Sequence, residues 1–450
     1  MGKWQRRSQS FESYSTRNDH PWRTDSGYGI AARYLVDGLC KDLDLAVFAP
    51  VGGKYKLEYY FPDLGLIGVE PSLTLLEERD GKQAETVWDK VVPIYPGIAE
   101  DLGEQIVDQH FQHFCAEILW QIADIWALSR TVDLAKGDRI RWVIQPPIDF
   151  LDPIPQYIID KLTPALKVVP WVQEAKERLE KYGLKNVADP IPLGINTDLW
   201  KPQDRNLAST AMASLGFEYD AFNISIVAAN QYGRKAWDTV LKGIRLFMEG
   251  HPDVKVRLYL HTNQQLGEGW DIPALVSHLG LAEVTRMADQ YTMLIGGFSE
   301  NQIMIMHALA DCVINAGLEG FGYSTIQAQA VGTPVIGLNA GATKDLIETG
   351  ILVPPYAETL TPNLLTKAEP HPIHISQALE KVYETPRSNF SKGIQFVHDK
   401  FSWPVVLDQW RKFFAELDVE LDRKCMKSGK YPPRPSEKAL ALAKEEVVAQ

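Results

Sequence analysis

The sequence predicts an α/β protein of two doubly wound parallel-sheet domains. Apolar runs of strand length alternate with amphipathic helical stretches through most of the chain, and that rhythm implies parallel strands joined by helical crossovers. It breaks once, between Asn196 and Phe222, and then resumes. The 450 residues are long enough for two or three domains at about 150 residues each. With 45% apolar and 23% charged residues and 12 tryptophans, the composition excludes wholesale disorder and a small stapled scaffold.

Taken in order, residues 30–40 (IAARYLVDGLC) have helical apolar spacing and residues 43–50 (LDLAVFAP) read as a buried strand. Residues 105–115 are helical, 117–124 (EILWQIAD) strand-like, and 139–149 (RIRWVIQPPID) form a strand ending in prolines. A helix over 154–166, a short strand over 167–171, a helix over 174–182 and an extended piece over 188–195 complete the first series. The second series starts with the strand 223–230 (NISIVAAN), followed by a helix over 236–250 and the strand 254–262 (VKVRLYLHT). A helix over 300–310, a strand over 312–316, a helix over 323–331, a strand over 334–338 and a short helix over 343–348 follow. Helices over 375–384 and 389–401 come next, and residues 403–421 form one more amphipathic stretch, with Trp410, Phe413, Phe414 and Leu417 at helical spacing.

The polar run with Lys201-Pro202 places the main boundary near residue 198. This gives a first domain over 1–198, a second over 199–403, a helix over 404–421 crossing back onto the first domain, and a tail over 422–450. Charge narrows the function classes. The 46 basic against 58 acidic side chains leave a formal net charge of −12, which argues against an all-over nucleic-acid coat. Both ends are mildly basic and read as solvated tails. Cys40, Cys115, Cys312 and Cys425 contain no C-x-x-C pair, as expected of reduced thiols in an intracellular protein. Neither a signal-peptide core nor an 18-residue apolar run is present, so the expectation is a soluble cytoplasmic protein without stable membrane insertion.

Two such domains place their ligand crevices at the carboxyl ends of parallel strands, so chemistry belongs in the loops that follow strands. The most informative run is 318–337 (LEGFGYSTIQAQAVGTPVIG): an acidic residue and a Gly-Phe-Gly turn after one strand, then a helix and another strand. Three more runs accompany it: 191–202 (IPLGINTDLWKP), 223–237 (NISIVAANQYGRKAW), and Ser26-Gly27-Tyr28-Gly29 ahead of the first helix. Together these resemble the motifs of the retaining glycosyltransferases of family 4, which have the GT-B fold. The resemblance covers most of residues 26–420 and is weakest over 51–115.

The resemblance implies a sugar transfer from a nucleotide-diphosphate donor, a UDP- or GDP-sugar such as UDP-glucose, to an acceptor hydroxyl with retention. The residues have physical uses in such a reaction. Gly27 and Gly29 let backbone amides approach an anion at a helix start, with Tyr28 between them on the donor side. Arg234 and Lys235 follow a strand and can compensate leaving-group charge, a type of stabilisation worth ~3–4 kcal/mol per well-placed donor. By resemblance, Glu319 contacts sugar hydroxyls, with Gly320, Phe321, Gly322 and Tyr323 beside the sugar and phosphates. Where the family has an arginine five residues before the lysine, this chain has Asn230. Where the family has a second glutamate for the ribose, it has Gln327, which still offers an accepting oxygen. Asp124 ends a strand and either orients an acceptor hydroxyl or caps the next turn. Asp149 is a second acceptor-side candidate.

No metal or other cofactor is expected to be required, and the lone Asp42-Leu43-Asp44 reads as structural. The acceptor is a glycan, a lipid or a hydroxylated base in DNA, the last supported only by the aromatic residues interleaved in the basic first 33 residues. A nucleotide-sugar epimerase and a non-catalytic nucleotide-sugar-binding protein are the competing readings. The sequence leaves the oligomeric state open.

Overall fold

The computed structural model describes residues 15–16, 27–49, 57–64, 66–68, 72–79, 82–88, 91–97, 104–204, 209–265 and 269–428. Chain contacts divide the protein into two units. Met1–Ile144, Pro164–Leu166 and Leu407–Gln450 form the first, and Gln145–Thr163 with Lys167–Val406 form the second. This division differs from a cut near residue 198. The chain enters the second unit at Gln145, because the segment after Ile144 is bonded to that unit's loops.

In the first unit, strands Val47–Ala49 and Val92–Pro96 pair in parallel, and Val92–Pro96 continues antiparallel through Glu58–Phe61 to Leu66–Gly68 and the short Ser15–Thr16. The apolar faces of these strands and of the helix Gly27–Leu39 bury Val36, Tyr60, Ile67, Val92 and Ile94. Strands Leu73–Arg79 and Lys82–Trp88 form a separate hairpin. Simple strand–helix alternation therefore does not hold among the described residues of 51–100. Leu119–Gln121 and Trp142–Ile144 return to parallel pairing. The last helix, Trp403–Ser428, places Trp410 against Trp120, ring centres 4.3 Å apart.

The second unit holds a six-stranded, all-parallel sheet in the order Thr285–Met287, Val256–His261, Phe222–Val227, Cys312–Asn315, Val335–Leu338, Gly350–Val353. Numbered along the chain this is 3-2-1-4-5-6, the doubly wound order, and its switch point lies between Phe222–Val227 and Cys312–Asn315. The strands read as near-continuous apolar runs because helices cover both faces. Ile224, Leu258, Leu260, Val313 and Val335 are buried, as are Leu241, Ile244 and Phe247 of the helix Trp237–Gly250. After Gly350–Val353 the chain adds an antiparallel hairpin, Pro355–Leu360 with Thr366–Pro370. Its first strand is wholly exposed and its second largely buried. Among the described residues, no helix is long and apolar enough to cross a membrane.

Candidate functional site

At the switch point, two strand-following loops close on one another. The first leaves Phe222–Val227 and runs to the helix Trp237–Gly250. Trp237 is buried and donates from its indole N–H to the Ala229 carbonyl at 3.0 Å, which anchors the loop's far end. Gly233 (φ +72°) and Ala236 (φ +49°) are both left-handed. For an alanine that backbone is strained, and it sits where the loop turns into the helix Trp237–Gly250.

The second loop leaves Cys312–Asn315. Gly317 lies so close beneath the first that a Cβ there would stand 2.6 Å from the Arg234 carbonyl oxygen. Gly320 faces Pro147 in the same way, a Cβ falling 2.8 Å from the proline's own. Gly322 is left-handed (φ +88°) and starts the helix Tyr323–Ala330. Glycine is required at each position, twice for close approach and once for backbone conformation.

These loops, the segment after Trp142–Ile144 and the strand Thr366–Pro370 bring five charged side chains together. Lys235 and Glu319 form an ion pair, their side chains 8% and 10% exposed. Arg234 Nη1 lies 3.7 Å from the other Glu319 oxygen and 3.1 Å from Asp149 Oδ2, while its Nε donates to Gln231 Oε1 at 2.8 Å. Asp149 also receives Lys367, whose Nζ is 3.1 Å from Oδ1 and donates to the Asp149 backbone carbonyl at 2.6 Å. Burial pushes the Lys235 ammonium below the ordinary lysine range, and Glu319 opposes that shift. Three cations against two carboxylates leave a formal surplus of one positive charge, on side chains that are largely desolvated and so interact strongly.

The other sequence-derived residues are placed as follows. Phe321 packs edge-on against Trp171 and Tyr323, ring centres 6.1 and 5.6 Å away. Gln327 is buried on the helix Tyr323–Ala330 beside the imidazole of His307. Asn230 does not present its amide to the charged cluster. It is 1% exposed, donates to the Asn263 and Trp270 carbonyls at 3.0 and 2.7 Å, and accepts from the Trp270 N–H at 2.9 Å. Its amide fastens the loop after Val256–His261. Gly27, Tyr28 and Gly29 belong to the first unit and form the first turn of the helix Gly27–Leu39 itself, which starts three residues before Ile30. Asp124, also in the first unit, stands before the short turn Ile125–Ala127, where its side chain makes no capping bond.

Sequence reasoning missed Gln231 and Lys367. Gln231 could have been read from its place three residues before Arg234, whereas Lys367 lies on a hairpin with no motif to mark it. Among the described residues, no group of three or more His, Cys, Asp or Glu is arranged to hold a metal ion. Asp42 instead accepts from Arg411 Nε at 2.6 Å within the first unit.

The family described as "Glycosyl transferases group 1" matches residues 282–378. A D-inositol 3-phosphate glycosyltransferase of Streptomyces scabiei is 26% identical over 190 residues, 40% of this chain and 39% of that protein. The human alpha-1,3/1,6-mannosyltransferase ALG2 is 24% identical over 210 residues, 43% of this chain and 45% of that protein. The chain thus spans about two fifths of the length of these relatives. Among solved structures, Anabaena Alr3699/HepE in complex with UDP and glucose superposes with a TM-score of 0.56 at 15% identity, covering 72% of this chain and 86% of that one. The chain has the GT-B fold, and its residues 282–378 match the family model of the group 1 glycosyltransferases.

Proposed function

We propose that the protein is a retaining glycosyltransferase of family 4 that moves a sugar from a nucleotide-diphosphate donor, a UDP- or GDP-sugar, to an acceptor hydroxyl. One observation carries the reading. Arg234, Lys235 and Glu319, brought by two loops to the switch point of a 3-2-1-4-5-6 sheet, form one cluster of cations and carboxylate. A pyrophosphate in the crevice there competes with Glu319 and Asp149 for the two cations. Its charge takes the place of the Glu319 carboxylate beside Arg234 and Lys235, and Glu319 is released to accept hydrogen bonds from adjacent sugar hydroxyls.

The chain's own groups position the donor and compensate the charge that grows on the leaving diphosphate, where orientation alone can supply ~7–11 kcal/mol. The departing phosphate oxygen takes the acceptor proton on the same face, so no side-chain nucleophile is required. No metal or other cofactor enters this scheme, because Arg234 and Lys235 supply the positive charge. Gly27 to Gly29 and Gln327 are assigned to the donor, and Asp124 and Asp149 to the acceptor side. Asp149 approaches Arg234 in the same unit.

A thermal-shift screen of nucleotide-diphosphate sugars identifies the donor, since saturation at 100 times the dissociation constant stabilises by about 2.7 kcal/mol. Incubation of that donor with and without candidate glycan, lipid or DNA acceptors then separates transfer from epimerisation and from binding alone. Arg234→Ala with Lys235→Ala should abolish turnover, and unchanged turnover refutes the diphosphate role.

A further inference from the structure

Lys367 is 9% exposed and bound to the residue that touches Arg234. It stands on the inner strand of the hairpin Pro355–Leu360/Thr366–Pro370. That hairpin is fastened to the segment after Gln145 at three places. The Leu151 N–H donates to the Thr366 carbonyl at 2.8 Å, the Tyr157 hydroxyl donates to the Asn363 carbonyl at 2.9 Å, and Lys367 holds both the carbonyl and the carboxylate of Asp149.

We propose that Lys367 is a positioning residue of the charged cluster: by gripping Asp149 it fixes the carboxylate that aims the Arg234 guanidinium. The chemistry follows from how Asp149 is shared. One carboxylate oxygen takes Lys367 and the other takes Arg234, so the carboxylate plane, and with it the direction of the guanidinium fork, is set by an ammonium held on a separate element. Lys367 also neutralises Asp149 in part. Without it, the carboxylate's full charge falls on Arg234 and competes more strongly with an incoming phosphate. The hairpin thereby tunes affinity for the diphosphate without contacting it.

The inference rests on the proposed donor reading in one respect, that the anion at Arg234 is a diphosphate. Titration calorimetry with UDP, GDP and inorganic pyrophosphate tests it on the full chain. Lys367→Met, which keeps the aliphatic stem, should weaken diphosphate binding about tenfold, and Lys367→Arg should restore most of the loss. In an Asp149→Asn background the same Lys367→Met change should alter affinity less than twofold, because the relay is already cut. Equal binding by Lys367→Met and the parent chain, or the same loss in both backgrounds, overturns the proposal.

If the parent chain binds none of the three probes, the donor reading fails, and the relay is then judged by unfolding. Lys367→Met and Arg234→Met should be non-additive in a double-mutant cycle if Asp149 couples them. Additive effects overturn the positioning role.

Discussion

The backbone N–H of Leu318 donates to the carbonyl of Arg234 at 3.0 Å, so the loop that carries the acidic residue is bonded to the loop that carries the cations. Gly317 makes that approach possible, because a Cβ would meet the Arg234 carbonyl oxygen at 2.6 Å and the Lys235 Cα at 2.9 Å. Both obstacles are backbone and neither can swing aside. Gly317→Ala should therefore cost about 1–3 kcal/mol of stability and displace the cations together, weakening nucleotide-diphosphate binding at least about tenfold. Urea unfolding alongside a donor titration checks both parts; a fully stable variant with parental affinity contradicts the close-packed picture.

The Lys235–Glu319 pair is nearly dry, so its two single truncations should be worse than removing both partners. Glu319→Ala leaves a buried ammonium without its counter-ion, a loss of about 3–5 kcal/mol. Lys235→Met combined with Glu319→Leu replaces the pair with apolar bulk and should recover most of that stability while remaining inactive. Chemical denaturation of the two single variants and the double variant measures it, and strictly additive losses would show that the pair is not coupled.

How much of this was legible in the sequence depended on whether the signal was local. The strands and helices around Glu319 were readable because the Leu318–Gly337 run encodes its own turn, helix and strand, and the glycines mark close approach in any α/β protein. The hairpin at Pro355–Leu360 and Thr366–Pro370 was not, because its outer strand is wholly exposed and lacks the apolar pattern that identifies a buried strand. Residues 51–100 failed for the opposite reason. Short antiparallel strands such as Glu58–Phe61 are buried along their whole length, so period-2 alternation is missing there. Asn230 looked like a ligand residue because it occupies a ligand position in the resemblance. Only tertiary contacts reveal that its amide is spent on Asn263 and Trp270.

That assignment of Asn230 makes its own prediction. Asn230→Ala strands two carbonyls and one N–H in a buried setting, a cost of about 2 kcal/mol after partial rehydration of the loop. Asn230→Arg should be worse, since Gly269 lies so near that a Cβ there would meet the Asn230 amide at 2.6 Å. An arginine at 230 should therefore fail to improve donor affinity despite matching the pattern of the family. A gain in affinity with undiminished stability would mean that the loop after Val256–His261 readily gives way.

Acid stability is governed in part by a histidine that no motif marks. His307, on the helix Glu300–Leu309, is fully buried beside Trp200, ring centres 5.8 Å apart, with the Gln327 side chain against its ring. Burial drives its pKa down to about 3, while that of His261 falls to about 4 for the same reason. The unfolded imidazole titrates near the ordinary ~6.5. As pH drops below that value, the unfolded chain binds protons that the folded chain refuses, so stability is complete above about 6.5 and is lost progressively as pH falls through the folded values. For His307 the loss amounts to about 3 kcal/mol by pH 4, and His261, partly exposed, adds a smaller share. His307→Gln should flatten the fall between pH 6.5 and pH 4 relative to the parent, as read from urea midpoints at half-unit pH steps. Parallel pH profiles for the two proteins would show that the imidazole at 307 titrates in the fold as it does in the unfolded chain, and would overturn its role in acid stability.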